Sequence, residues 1–183
     1  MARDVKIKVE KVCKIFGKTP QEAMAKVQAG MSKTDLLAQT SHVLGLNDIS
    51  LEIERGELFV IMGLSGSGKS TLIRHFNRLI EPTAGRILVD GQDILTLNDT
   101  QLRDFRRRKV SMVFQRFALL PHKTVLENVR LGLILDGMDK AQADRRSMEQ
   151  IELVGLQGFE NSYPGQLSGG ERQRLAIARA LLK

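Results

Sequence analysis

The chain has 183 residues, 42% of them hydrophobic and 27% charged, with 28 Lys and Arg against 21 Asp and Glu for a formal charge of +7. That length suits one well-buried domain, and the ordinary balance of residue types, with Pro and Gly scattered, excludes a low-complexity or disordered chain. No apolar stretch approaches the roughly 20 residues that cross a bilayer, and with Cys13 as the only cysteine no internal disulfide can form.

In chain order, Val5, Ile7 and Val9 alternate with Lys and Glu, the period-two pattern of a half-buried strand. Ile49-Ser50-Leu51-Glu52-Ile53 repeats it, so an antiparallel outer sheet is expected. Cys13 beside Val12 reads as a small buried hydrophobe. Between Phe16-Gly17 and Leu46-Asn47-Asp48 stands an insert with helix punctuation. Thr19-Pro20-Gln21-Glu22 reads as a capping box, Gly30 is placed to end that helix, and Ser32-Lys33-Thr34-Asp35 opens another. Leu58 to Met62 and Val110 to Phe114 are continuous apolar runs, the pattern of strands covered on both faces of a parallel core, while Ile87-Leu88-Val89 precedes an Asp90-Gly91 turn.

Arg103-Asp104-Phe105-Arg106-Arg107-Arg108-Lys109 reads as the exposed face of a helix capped by Asn98. It holds much of the excess charge but has no interleaved aromatics for base stacking, so no nucleic acid partner is expected. Thr124 to Glu127 is a further capping box opening a helical lobe. Asp139 caps a helix whose Met148, Ile151 and Val154 share a face, and Gly155 fits its end. His42, His75 and His122 stand in no metal or triad spacing and are expected at exposed helix and loop positions.

The most specific signal is Gly63-Leu64-Ser65-Gly66-Ser67-Gly68-Lys69-Ser70, the G-x-x-x-x-G-K-[ST] phosphate loop, placed between an apolar run and the helix-like Thr71-Leu72-Ile73-Arg74. Glycines let consecutive backbone N–H groups curl around phosphate oxygens at a helix start. Lys69 adds a charge between the outer phosphates, and the Ser70 hydroxyl can ligate Mg²⁺. A second cradle is written in Leu167-Ser168-Gly169-Gly170-Glu171-Arg172-Gln173, where an N-cap serine and two glycines open a helix running to Leu182. Between the two lies Met112-Val113-Phe114-Gln115, an apolar run ending in glutamine.

These three segments resemble the phosphate loop, signature and Q-loop of ATP-binding cassette (ABC) proteins. The resemblance implies an α/β P-loop NTPase fold with a mixed or parallel sheet core, an antiparallel β subdomain and a helical subdomain. On that pattern residues 1–116 form the β subdomain and P-loop core with the helical insert at 19–42, residues 117–168 the helical subdomain, and residues 169–183 the signature helix. It further implies a head-to-tail homodimer. Gly63 to Lys69, Ser70 and Thr71 would hold ATP and Mg²⁺ in cis, Ser168, Gly169 and Gly170 would approach the terminal phosphate in trans, and Gln115 would touch Mg²⁺ and sense a transporter partner.

Lys14-Ile15-Phe16-Gly17-Lys18, the helical insert and Gly63-Leu64-Ser65-Gly66 look most like ATPase subunits of glycine betaine/proline-type (quaternary amine) uptake systems. That implies a peripheral protein on the cytoplasmic face of the inner membrane, working with a permease and a substrate-binding protein. Phe16 matches the position where the family stacks an aromatic on adenine, and apolar residues near Phe117 and Leu119 match its permease-facing lobe. In the family, the strand after the signature helix carries the catalytic carboxylates. The chain is therefore expected to be truncated, with hydrolysis weaker by several kcal/mol. Two other readings are a non-transport cassette acting on nucleic acid or the ribosome, and an ATP-binding fragment without catalysis.

Overall fold

The computed structural model describes residues 4–182 and divides at residue 102 into two compact units. In the first, the alternating segments become long strands, β1 (Val5–Phe16) and β2 (Val43–Glu54), joined by β3 (Ala84–Val89) and β4 (Gln92–Asp93) in a sheet of order β2-β1-β3-β4. Every register in it is antiparallel, with Val9 opposite Leu51 on one side and Ile87 on the other. The β3–β4 turn places Asp90 and Gly91 at φ 50° and 77°, the left-handed pair that a two-residue hairpin of this twist demands. Lys11 at φ 50° marks a bulge in β1, where the register with both neighbours shifts.

The insert forms α1 (Pro20–Gln28) and α2 (Lys33–Thr40), with Gly30 at φ 97° just past the first and the Ser32 hydroxyl accepting the Asp35 N–H at the start of the second. Their apolar residues Ala23, Met24 and Leu36 close over Cys13, Ile15 and Leu44 of the sheet. Thr19 departs from expectation: its side chain does not cap α1, and its N–H instead donates to His42 Nε2 at 3.2 Å. His42 is accordingly buried, because its ring fills the gap between the two ends of the insert. After the phosphate loop comes α3 (Lys69–His75). Here His75 is fully buried rather than exposed, since the i, i+3 spacing sets it on the same face as the buried Leu72.

The expected parallel strands do not form among the described residues. Residues 58–62 and 110–114 take no regular secondary structure and do not join the sheet, and Leu58, Val60 and Met62 are 91%, 66% and 87% exposed. A continuous apolar run becomes a buried strand only when sheet neighbours and covering helices are present, and the described residues leave these side chains open.

Helix α4 (Asp99–Arg108) crosses the boundary, capped by Asn98, whose Oδ1 accepts the Gln101 N–H at 2.9 Å. The second unit then holds α5 (Val125–Leu135), α6 (Lys140–Leu153) and α7 (Gly169–Leu181); Lys183, last of the expected signature helix, lies outside the described residues. Val125, Val129 and Leu133 meet Ala143, Ile151, Leu175 and Ala178 in one apolar core. The Thr124–Glu127 box and the Asp139 cap are formed as read. On α6 the buried face runs through Ala143, Ser147 and Ile151, and Met148 points outward at 42% exposure, because the stripe follows i, i+4 rather than the expected i, i+3 step.

One polar side chain organises the lobe's entry. Asn128 is fully buried; its Nδ2 lies within 3.1 Å of the carbonyls of Leu120, Lys123 and Thr124, and its Oδ1 accepts the Leu120 N–H. Replacing it with alanine strands these groups in a dry environment, which costs about 2 kcal/mol. Asn128→Ala should therefore lower the urea midpoint at unchanged slope; an unaltered midpoint would show that the amide is dispensable.

Candidate nucleotide-binding site

The loop between residues 63 and 70 turns back on itself, with Ser67 N–H donating to the Leu64 carbonyl at 3.2 Å and Leu72 N–H to that of Gly68 at 2.8 Å. Gly66 and Gly68 sit at φ 77° and 94°, conformations that a side chain disfavours. Lys69 folds across the loop and donates to the Gly63 and Leu64 carbonyls at 2.8 and 2.6 Å, with Ser67 Oγ at 3.4 Å. Its ammonium thus rests on neutral oxygens, from which anionic oxygens would draw it.

Close packing ties this loop to the sheet. A Cβ on Gly68 would lie 2.5 Å from the Gly45 carbonyl oxygen, and one on Gly45 would lie 2.7 Å from the Phe16 ring. Without side chains at either position, the loop, β2 and the end of β1 enclose a cleft of about 230 Å³ lined by Phe16, Lys33, Val43, Leu44, Gly45, Gly66, Gly68, Lys69, Ser70 and Thr71. Phe16 is 38% exposed there, with the Lys14 ammonium 5.2 Å from its ring centroid. Gly63, Leu64, Ser65 and Ser67 complete the loop outside the cleft. Sequence reasoning missed Lys33, Val43, Leu44 and Gly45. No spacing rule links them to the loop, since a two-helix insert and a strand pairing bring them there.

The other expected site residues lie in the second unit. Gln115 is exposed. Two residues on, Phe117 and Ala118 take φ 61° and 50°, and their carbonyls accept the Arg179 guanidinium of α7 at 3.2 and 2.8 Å. At the start of α7, Ser168 Oγ accepts the Glu171 N–H at 3.4 Å while the Glu171 carboxylate accepts the Ser168 N–H at 2.7 Å. That bond holds the Glu171 carboxyl below its ordinary range. The box uses the amides of Ser168 and Glu171, and Arg172 N–H donates to the Ser168 carbonyl, so those of Gly169 and Gly170 are left as first-turn donors.

His75, at the far end of α3, donates from Nδ1 to the Thr71 carbonyl at 2.6 Å, while its buried Nε2 has no hydrogen-bond partner among the described residues. Burial pushes its pKa below the ordinary value, against the Thr71 bond, which raises it, and with the Lys14 charge, which lowers it.

The fold so built is that of an ABC-type nucleotide-binding domain. The ABC transporter family profile matches residues 46–183, and the chain belongs to that family. It is 54% identical over 98% of its length to the glycine betaine transport ATP-binding protein OpuAA of Bacillus subtilis. It is 50% identical over 97% to the glycine betaine/proline betaine transport system ATP-binding protein ProV of Escherichia coli. It spans about half the length of such relatives, 43% of OpuAA and 44% of ProV. Among solved structures, the bacterial ABC transporter cassette MJ0796, described as dimeric, superposes with a TM-score of 0.80 at 36% identity, covering 96% of this chain and 69% of that one. The same cassette is also known in a post-hydrolysis state bound to ADP and Pi, with the same score.

His75 gives the site's unit a pH signature. Its folded pKa lies below the unfolded value near 6.5, so the unfolded chain binds the proton more readily. The neutral ring's contribution is whole above about pH 6.5 and is lost as pH falls toward the folded pKa. His75→Gln should therefore lose less unfolding free energy than wild type between pH 7 and 5 in matched urea titrations. Parallel losses would contradict this.

Proposed function

We propose that this chain is the nucleotide-binding part of the energy-coupling ATPase of an importer for glycine betaine or proline-like osmoprotectants. The observation that carries the reading is the cleft uniting the phosphate loop with Phe16. The amides of Gly63 to Lys69, with Thr71, hold the phosphates of ATP, and Phe16 offers its ring to adenine. Lys69 exchanges the Gly63 and Leu64 carbonyls for the outer phosphates, a gain because hydrogen bonds to ionised acceptors are roughly twice as strong as neutral ones.

The Ser70 hydroxyl and Gln115 amide oxygen are hard donors of the kind Mg²⁺ takes, so these two residues would hold it. When bound, that ion neutralises charge on the outer phosphates. Lys69 and Gln115 act by charge and orientation, since the amide of Gln115 has no titratable proton to move at neutral pH.

Ser168, Gly169 and Gly170 face the terminal phosphate of a second copy in this reading, which makes the working unit a head-to-tail homodimer; the dimeric neighbour supports it. Residues 1–116 serve as β subdomain and phosphate-loop core with the insert at 19–42, residues 117–168 as the lobe that meets the permease, and residues 169–183 as the signature helix. The names of the relatives, ATP-binding proteins of glycine betaine and proline betaine transport, support that cargo and a transport role; a transmembrane permease and a substrate-binding protein as partners, and a station on the cytoplasmic face of the membrane, complete the proposal. Among the described residues no helix is long and apolar enough to span a bilayer.

Lys69→Ala should weaken ATP binding by tenfold or more, about 1.4 kcal/mol, in calorimetric titration with an unchanged circular dichroism spectrum. The same substitution in the gene should abolish uptake of labelled glycine betaine by cells. Undiminished ATP affinity would refute the site, and undiminished uptake the transport role.

A further inference from the structure

We infer that the two-helix insert of residues 19–42 is itself part of the nucleotide site, with Lys33 as a nucleoside-contacting residue. This rests on the nucleotide reading above and assigns it a recognition element that the phosphate loop does not supply. Lys33 is the first residue of α2 and lines the same cleft as Phe16, Val43 and Ser70. It is exposed and has no ion-pair partner among the described residues. The one acid in its own helical turn, Asp35, is already engaged by the Ser32 hydroxyl at 2.6 Å. An ammonium without a protein counter-charge, turned to a cleft, is suited to an electron-rich acceptor on a ligand.

The cleft decides which end of the ligand that is. Its phosphate end is served by Lys69, held on the loop carbonyls. Apart from the loop and Thr71 on the helix that follows it, the residues that share the cleft with Lys33 are Phe16, Val43, Leu44 and Gly45, an apolar set that suits a flat ring rather than a phosphate. Lys33 is therefore placed to donate to a ring nitrogen or ribose oxygen of the nucleoside.

The insert is fixed well enough to aim it. Leu36, one turn along α2, is fully buried against Cys13, Ile15 and Leu44. His42 clasps the two ends of the insert, its Nδ1 donating to the Thr40 carbonyl at 2.7 Å and its Nε2 accepting the Thr19 N–H at 3.2 Å. A Cβ at Gly17 would lie 2.1 Å from that ring, so the residue after Phe16 is packed directly on the clasp.

The test compares binding of ATP and of inorganic tripolyphosphate to the wild-type chain and to Lys33→Ala, Lys33→Arg and Lys69→Ala by calorimetry. Lys33→Ala should weaken ATP roughly fivefold and leave tripolyphosphate unchanged, and Lys33→Arg should recover most of the ATP affinity. A Lys33→Ala chain that loses both ligands equally, or neither, overturns the assignment. Lys69→Ala should weaken both ligands; tripolyphosphate binding that survives it would instead refute the phosphate loop as the anchor, a separate failure.

Discussion

Gly68 lies against the Gly45 carbonyl with no room for a side chain, and Gly45 lies in the same way against the Phe16 ring. The candidate site depends on these two contacts. A methyl group at Gly68 would have to push the loop off the β2 backbone, and one at Gly45 would have to turn the Phe16 ring aside. A sequence motif that specifies only loop residues thus draws its partners from a strand some twenty residues earlier. Backbone bulk, rather than any attractive contact, sets how near the aromatic ring and the anion cradle come.

What the sequence disclosed follows the range of the forces involved. The Ser168 opening of α7, the Thr124 box and the Asp90-Gly91 hairpin were all legible, because each is decided within four residues, by a side chain matched to backbone hydrogen bonds or by a left-handed pair. Thr19 looked equally local and failed, since a buried imidazole competed for its amide. His75 and Asn128 were not legible as buried groups: a polar residue enters a core only when tertiary partners are supplied, by Thr71 for the first and by the 120–124 loop for the second. The runs at 58–62 and 110–114 had the right composition for covered strands, but composition cannot supply sheet neighbours.

The second unit solves a related problem with polar groups. Its loops follow Gln115 and precede α5 and α7, and each is fixed where a side chain meets main-chain atoms: Arg179 on two left-handed residues, Asn128 on the 120–124 turn, Glu171 on the Ser168 amide. Such bonds restrain loops without demanding hydrophobic surface, which a lobe of three main helices has to keep for its single core. The Glu171 bond also places a carboxylate beside the amides of Gly169 and Gly170. A triphosphate reaching those amides would therefore meet one negative group at the helix start, and the attraction there is weaker than two bare glycine amides alone would provide.

The excess of basic residues has a structural meaning on this view. Lys6 and Arg55 share Asp90, Lys8 bridges Glu10 and Glu52, and Arg86 reaches Glu10, all at the surface, where water screens such pairs. A different set of cations is aimed at carbonyl oxygens: Lys14 at Glu81, Arg78 at Leu97, Arg179 at Phe117 and Ala118, Lys69 at Gly63 and Leu64. Each ties a loop by donating to main-chain carbonyls. Of these four only Lys69 stands in the cleft, so it alone among them can trade its carbonyls for a ligand that enters there. On the proposed function, the arrangement that braces loops elsewhere in the chain becomes, at this one opening, a means of exchanging protein oxygens for those of an anion.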